Sequence, residues 1–320
     1  MSMPRLMLWT SFVVMMAPGA DVVLAQAYPS KPIRFFTSTA GGSPDLVGRL
    51  IAPGLSAGLG QPLVIENRPG VLAIELVAKA PPDGYTVLSY GGVLWLQPLL
   101  RDKVPYDPIK DFLPVTLANR VPNVLTVHPS LPVKSVRELL ALARAKPGEI
   151  NVASGSTGSS THLAAELFKS MTGLNITRIP YKSAAPAVSA LVGGEVHMMF
   201  ATAGTVQGHV KSGRLRAVAV TSPEPSALVP GVPTVASTGV PGYESEALQG
   251  VWVPAGTPTA VVMRLNQEFV RALTQPDIRD KQLNAGLDVA GTTPEQFAAV
   301  IKADMARMGK LIKEAGIREE

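Results

Sequence analysis

The 320-residue chain contains no cysteine. Thiolate nucleophiles, disulfides and cysteine-ligated metals are therefore excluded, and any chemistry falls to oxygen, imidazole or backbone groups. Aromatic residues are scarce at 5% and charged residues at 17%, while 46% of the chain is hydrophobic, so it is neither a polyelectrolyte nor disordered. The net charge of +5 is spread over scattered lysines and arginines. No run of them is dense enough for a nucleic-acid footprint, and such a surface does no more than steer small anions. Beyond residue 27 there is no apolar stretch long enough to cross a bilayer.

The longest apolar run lies at the start. "LMLWTSFVVMMA" (Leu6–Ala17) follows Arg5 and precedes "VLAQA", with small residues at Ala25 and Ala27. Its 12 residues fall short of the roughly 20 that span a membrane. Residues 1–27 thus read as a signal peptide cut near Ala25 or Ala27, and the mature protein as soluble and exported to the periplasm.

The rest suits two lobes of roughly 120–150 residues, and strand and helix patterns alternate along it as in an α/β protein with parallel sheets. "KPIRFFTST" reads as a strand, "AGGSPD" as a loop, "LVGRLIAPGLSAGLG" as an amphipathic helix and "PLVIEN" as a strand. "YTVLSY" is a strand with "YGGVLW" as its loop, and "VPNVLTVHP" is another strand. "SVRELLALARAKP" is a helix, with Ser135 and Glu138 spaced for a capping box. "LQGVWVPAGTP" reads as a strand ending in a Pro-Gly turn, and the three C-terminal helical segments beyond it read as scaffold.

Between the strand "INVAS" and the helix "HLAAELFKSMTG" runs "SGSTGSS", seven hydroxyl or glycine residues from Ser154 to Ser160. A Walker loop needs a lysine, and none occurs between Lys146 and Lys169. A hydrolase elbow needs Gly-x-Ser-x-Gly, which the spacing does not provide. What remains is an anion cradle: backbone N–H groups at the positive end of a helix, with hydroxyls of Ser154, Ser156, Thr157, Ser159, Ser160 and Thr161 as uncharged donors. Plain N-capping needs only one of them. "STAGGSPD" (Ser38–Asp45) repeats this build after the first strand. His162 and Glu166 share a helix face, but no third ligand completes a metal site. His162 with one of Ser154–Ser160 gives the rival reading, an exported serine/histidine hydrolase, for which no partner acid is evident.

"YPSKPIR", "LGQPLVIENRPG", "AKAPPDGYTVL", "VPYDPIKDFLPVT", "PNVLTVHPSLPVKSV", "IPYKSAAPA", "GGEVHMMF" and "GVWVPAGTP" together resemble the tripartite tricarboxylate transporter receptors, the Bug family of periplasmic solute-binding proteins. The resemblance covers essentially all of residues 28–320. It implies a two-lobe, type II periplasmic binding fold, each lobe a mainly parallel sheet flanked by helices. Residues 28–125 and 250–320 would form one lobe and 126–249 the other. It implies a monomeric receptor, not an enzyme, with no cofactor or metal. The receptor would hand a small carboxylate, a di- or tricarboxylate or an aromatic or apolar carboxylate, to membrane permease subunits or a sensor kinase. Carried over by position, the ligand would lie against Thr39, Ala40, Gly41, Gly42, Ser43 and Asp45 on one side. Ser154, Ser156, Thr157, Ser159, Ser160, Thr161 and His162 would face it, with Tyr90, Gly91, Tyr181, Ser183, Ala201 and Thr202 as walls. The chain departs from the pattern in having "TSTAGG" for a proline-rich first loop, "VLAIE" for a glycine run, and Ala201 where an acid often follows "MMF". Without that acid a ligand's amino group loses its partner, so the expected ligand is a carboxylate with an apolar or aromatic body.

Overall fold

The computed structural model describes residues 28–38, 40, 43–68 and 71–318, so the signal-peptide reading falls outside the described residues. Chain order is β1 (Ile33–Thr37), α1 (Ser43–Leu59), β2 (Leu63–Asn67), α2 (Leu72–Ala78), β3 (Thr86–Gly91), α3 (Val93–Leu100), β4 (Phe112–Val127), α4 (Val136–Ala145), β5 (Asn151–Ser154) and α5 (Ser160–Thr172). There follow β6 (Thr177–Pro180), α6 (Ala184–Val192), β7 (Met198–Thr202), α7 (Ala203–Lys211), β8 (Arg216–Val220), α8 (Val235–Thr238) and β9 (Glu246–Pro254). The chain ends with α9 (Thr259–Leu273), α10 (Pro276–Asn284), β10 (Asp288–Val289) and α11 (Pro294–Glu314). The fold is mixed α/β, as the alternating patterns imply.

Parallel strands β2-β1-β3 occupy one end of the sheet and β6-β5-β7 the other. Antiparallel β9 and β4 join them. Strand β4 changes partners midway: from Phe112 to Pro122 it pairs with β9, and from Asn123 to Val127 with β7 and, over Val124 to Val127, β8. The sequence pattern shows only the second half of this strand, because Pro114 and Pro122 argue against a central strand. Register shifts between Pro114 and Thr116 and between Leu117 and Asn119 absorb the irregularity.

Side chains alternate across the sheet. Ile33 and Phe35 of β1 join the core under α1 and α9, while Phe36 enters the core shared by α2, α3, α5 and α11. A third core packs α6 and α7 on β5 and β7. Gly250 of β9 is glycine because a Cβ there would overlap the Phe297 ring of α11.

Two local readings need correcting. Val93–Leu100 is a helix, not loop; Gly91, Gly92 and an internal Pro98 hid it. Ser135 does cap α4, accepting from Glu138 N at 3.2 Å, but Glu138 Oε2 takes the N–H of Lys134 at 2.7 Å, one residue before the cap.

Candidate functional site

The loop from β5 to α5 is braced by its own hydroxyls. Ser154, fully buried, accepts from Arg178 Nε at 2.7 Å and donates to Gly155 O at 3.1 Å, and Arg178 Nη2 reaches that carbonyl at 3.3 Å. Thr161 Oγ1 accepts from Gly155 N at 2.9 Å and lies 3.0 Å from Ser159 Oγ. Ser159 is the N-cap of α5, taking His162 N at 3.4 Å. Three hydroxyls are thus committed to shape. Ser156, Thr157 and Ser160 form no side-chain hydrogen bond among the described residues, and Ser156 is exposed. The N–H groups of Ser160 and Thr161, in the first turn of α5, have no acceptor within the helix and carry its positive end.

Gly158 turns the loop at φ +78°, and its N–H donates to His162 Nδ1 at 3.0 Å. Burial, with Arg178 and Lys169 adding to it, pushes the His162 imidazole down to about 4. The ring is therefore neutral at physiological pH, with its proton on Nε2. The nitrogen that a hydrolytic base needs is taken by backbone, and no serine hydroxyl bonds to the ring among the described residues.

Of the first loop, Thr39, Gly41 and Gly42 lie outside the described residues, and Ala40 is exposed. Ser43 opens α1. The buried Asp45 carboxylate accepts from Arg49 Nε at 3.1 Å and Asn67 Nδ2 at 2.8 Å, and Asn67 also donates to Ser38 O at 2.9 Å. Asp45 therefore ties this loop to β2. Tyr90 packs in the core, where burial raises its phenol. Tyr181 is half-buried, with its N–H on Ser154 O at 2.9 Å. Ser183 is exposed at the start of α6. Ala201 is wholly buried in the α6/α7 core, and Thr202 follows it at the surface of a cavity.

Two cavities flank the start of β9. The first, of about 270 Å³, runs between Gly91–Gly92 and Gly158–Ser160 and is walled by Val93, Leu96, Leu163, Leu248 and Met308. Two carboxylates reach its wall, and each has a guanidinium partner. Asp304 accepts from Trp95 Nε1 at 2.8 Å and Arg307 Nη2 at 3.3 Å, and Glu246 from Arg120 Nη1 at 3.0 Å. Burial raises both groups while these partners oppose it. The second cavity, about 200 Å³, is lined by Ser43, Thr202, Thr205 and Gly204. Ala247 and Gln249 belong to both.

The structure thus brings Gly91, Ser159 and Ser160 to one cavity and Ser43 and Thr202 to the other. It keeps Ser154, Asp45 and Ala201 buried behind them. Sequence reasoning missed Gln249, Met308 and Asp304, because strand and helix periodicity shows that a residue is buried but not what it faces. Arg178 was missed because it acts across β5–β6, where Val152 is its neighbour in register.

Residues 47–317 match the family model described as tripartite tricarboxylate transporter family receptor. Protein BugT of Bordetella pertussis is 34% identical over 324 residues, covering 99% of each chain. The structure of R. palustris Rpa4515 with adipate is 37% identical, with a TM-score of 0.77 over 91% of this chain and 99% of that one. MatC (Rpa3494) from Rhodopseudomonas palustris with bound malate is 30% identical, with a TM-score of 0.72 over 89% and 100%.

Proposed function

Because this chain belongs to the tripartite tricarboxylate transporter receptor family, we propose that it captures a small carboxylate with an apolar or aromatic body and delivers it to a tripartite tricarboxylate-type permease or a sensor. Its fold is the two-lobe, type II periplasmic binding fold of its structural relatives. Lobe one comprises residues 28–125 and 250–320, and lobe two 126–249. The change of partners along β4 between Pro122 and Asn123, and the start of β9 at Glu246, support crossings a few residues earlier at each boundary. The receptor works in the periplasm as a monomer, after loss of residues 1–27. No helix among the described residues is long and apolar enough to cross a membrane.

The observation that carries the ligand class is the first cavity. Free N–H groups at the start of α5 and the Ser160 hydroxyl offer uncharged donors to a carboxylate, and Val93, Leu96, Leu163 and Met308 supply an apolar wall beside them. Adipate and malate, held by two relatives, bracket the chemistry from apolar chain to hydroxylated chain. Calorimetric titration with adipate, malate, an aromatic monocarboxylate and the matched amino acids tests the reading. Adipate or the aromatic acid binds best. Tighter binding of an amino acid than of its deaminated analogue would overturn the ligand class.

A further inference from the structure

Three buried side-chain amides come from α10, β4 and β9. Asn119 Nδ2 donates to Gln282 Oε1 at 2.6 Å, and Asn119 stands opposite Gln249 in the β4–β9 ladder. Asn119 and Gln282 are 0% exposed and Gln249 8%. Each keeps one buried amide atom without a partner: Gln282 Nε2, Asn119 Oδ1 and Gln249 Oε1. Directly opposed residues in such a ladder have Cβ atoms about 5 Å apart. Two unmet carbonyl oxygens there are both costly and easily cured.

A half-turn of a terminal amide torsion exchanges its oxygen and nitrogen without displacing a heavy atom. Turning Asn119 and Gln282 together keeps their 2.6 Å contact, with Gln282 now the donor, and presents an Asn119 N–H to the Gln249 carbonyl opposite it in the ladder. The one group then left unmet is a carbonyl of Gln282. Turning Gln249 instead leaves the Gln282 NH2 unmet, which is the rarer and worse outcome for a buried group. The favoured arrangement uses the Gln249 carbonyl inward and fixes its NH2 toward the cavities, whose common wall it forms with Ala247.

We propose that Gln249 is a specificity-determining residue, a fixed uncharged donor at the waist of the cleft that takes a carboxylate oxygen of the solute. Asn119 and Gln282 are positioning residues that hold it in that sense. The assignment rests on the carboxylate reading above. It places the solute's carboxylate where the apolar cavity meets the hydroxyl-lined one, so that the apolar body extends toward Leu96 and Met308.

The test is titration of adipate into wild type, Q249L, Q249E, Q282L and Q249L/Q282L, with a melting curve for each. If wild type binds no carboxylate of the panel, the carboxylate reading itself falls and this assignment with it. Given wild-type binding, losing a donor to a charged acceptor weakens Q249L by roughly 10- to 100-fold. Q249E, of the same shape but acceptor-only and anionic, binds more weakly still. Q282L weakens binding, and the double variant binds as Q249L does, because Gln282 acts through Gln249. Wild-type affinity in a folded Q249E or Q249L would overturn the role of Gln249. Multiplying losses in the double variant would overturn the relay.

Discussion

A hydroxyl in a glycine-rich loop has two uses, and neighbouring residues here take one each. Ser154, Ser159 and Thr161 spend theirs on Arg178, on the α5 cap and on Gly155. Ser160 keeps its hydroxyl at the cavity wall. Composition alone cannot separate the two uses, since the difference lies in which neighbours the fold brings near. His162 is the site residue whose imidazole the fold holds neutral, its folded-state value lying at about 4 against an ordinary 6.5. Between those values the unfolded chain binds a proton that the folded chain refuses, so stability rises with pH across this window and is lost as pH falls through it. The raised Glu246 and Asp304 act in the opposite sense, but they do so equally in a His162 variant. H162N keeps an acceptor for Gly158 N and removes the titration. Melting temperatures from pH 4 to 7 should therefore fall less steeply on acidification in H162N than in wild type. Parallel curves would mean that the imidazole is not held neutral.

At the scale of elements, the packing of α11 on β9 decides how well the cavity wall is fixed. Gly250 admits the Phe297 ring, which also lies 4.8 Å from the Trp252 ring, and Trp95 in turn anchors α11 through Asp304. G250A overfills this contact and costs about 1–3 kcal/mol, measurable by urea unfolding. Adding F297L relieves the clash, so the pair should lose less than the sum of the two single changes. Additive losses would place the strain elsewhere. The same region shows what was legible from sequence. Helices α9 and α11 declare themselves by apolar spacing of three and four, and α5 by the hydroxyl cap before it and Gly173 after it. Helix α3 did not, because Pro98 and the glycine pair mimic a turn. Nor did the first half of β4, where Pro114 borders a register shift that only the partner β9 reveals and Pro122 stands at the last pair with β9. Of the candidate site, the α5 cradle was legible because its donors are local in sequence. The Gln249 side was not: its partners Asn119 and Gln282 come from β4 and α10.

For the whole molecule, the proposed capture of a solute by two lobes requires the crossings between them to bend without parting, and on the proposed lobe division Thr221 sits where both pass. Its Oγ1 accepts from Asn123 N at 2.8 Å and lies 2.9 Å from Asn123 O and 2.5 Å from Ser245 O, one proton serving the two carbonyls. Its backbone completes the knot, with Thr221 N on Asn123 O at 2.9 Å and Ser245 N on Thr221 O at 3.0 Å. Asn123 begins the second half of β4 and Ser245 immediately precedes β9, so on that division this one buried threonine ties the outgoing crossing to the returning one. A solute closes the lobes only by as much as it prefers the closed state, and a looser hinge enlarges the open ensemble against which it works. T221V keeps the shape but leaves the Asn123 N–H unmet, at a cost of about 1–3 kcal/mol in stability. With every cavity residue intact, it should also bind carboxylate more weakly than wild type. Small-angle scattering should show a larger unliganded radius of gyration for T221V, and a larger decrease on saturation with ligand. T221S retains the hydroxyl and should match wild type in all three measurements. A T221V protein that melts lower yet binds and scatters as wild type would confine Thr221 to stability and leave the hinge to the strands alone.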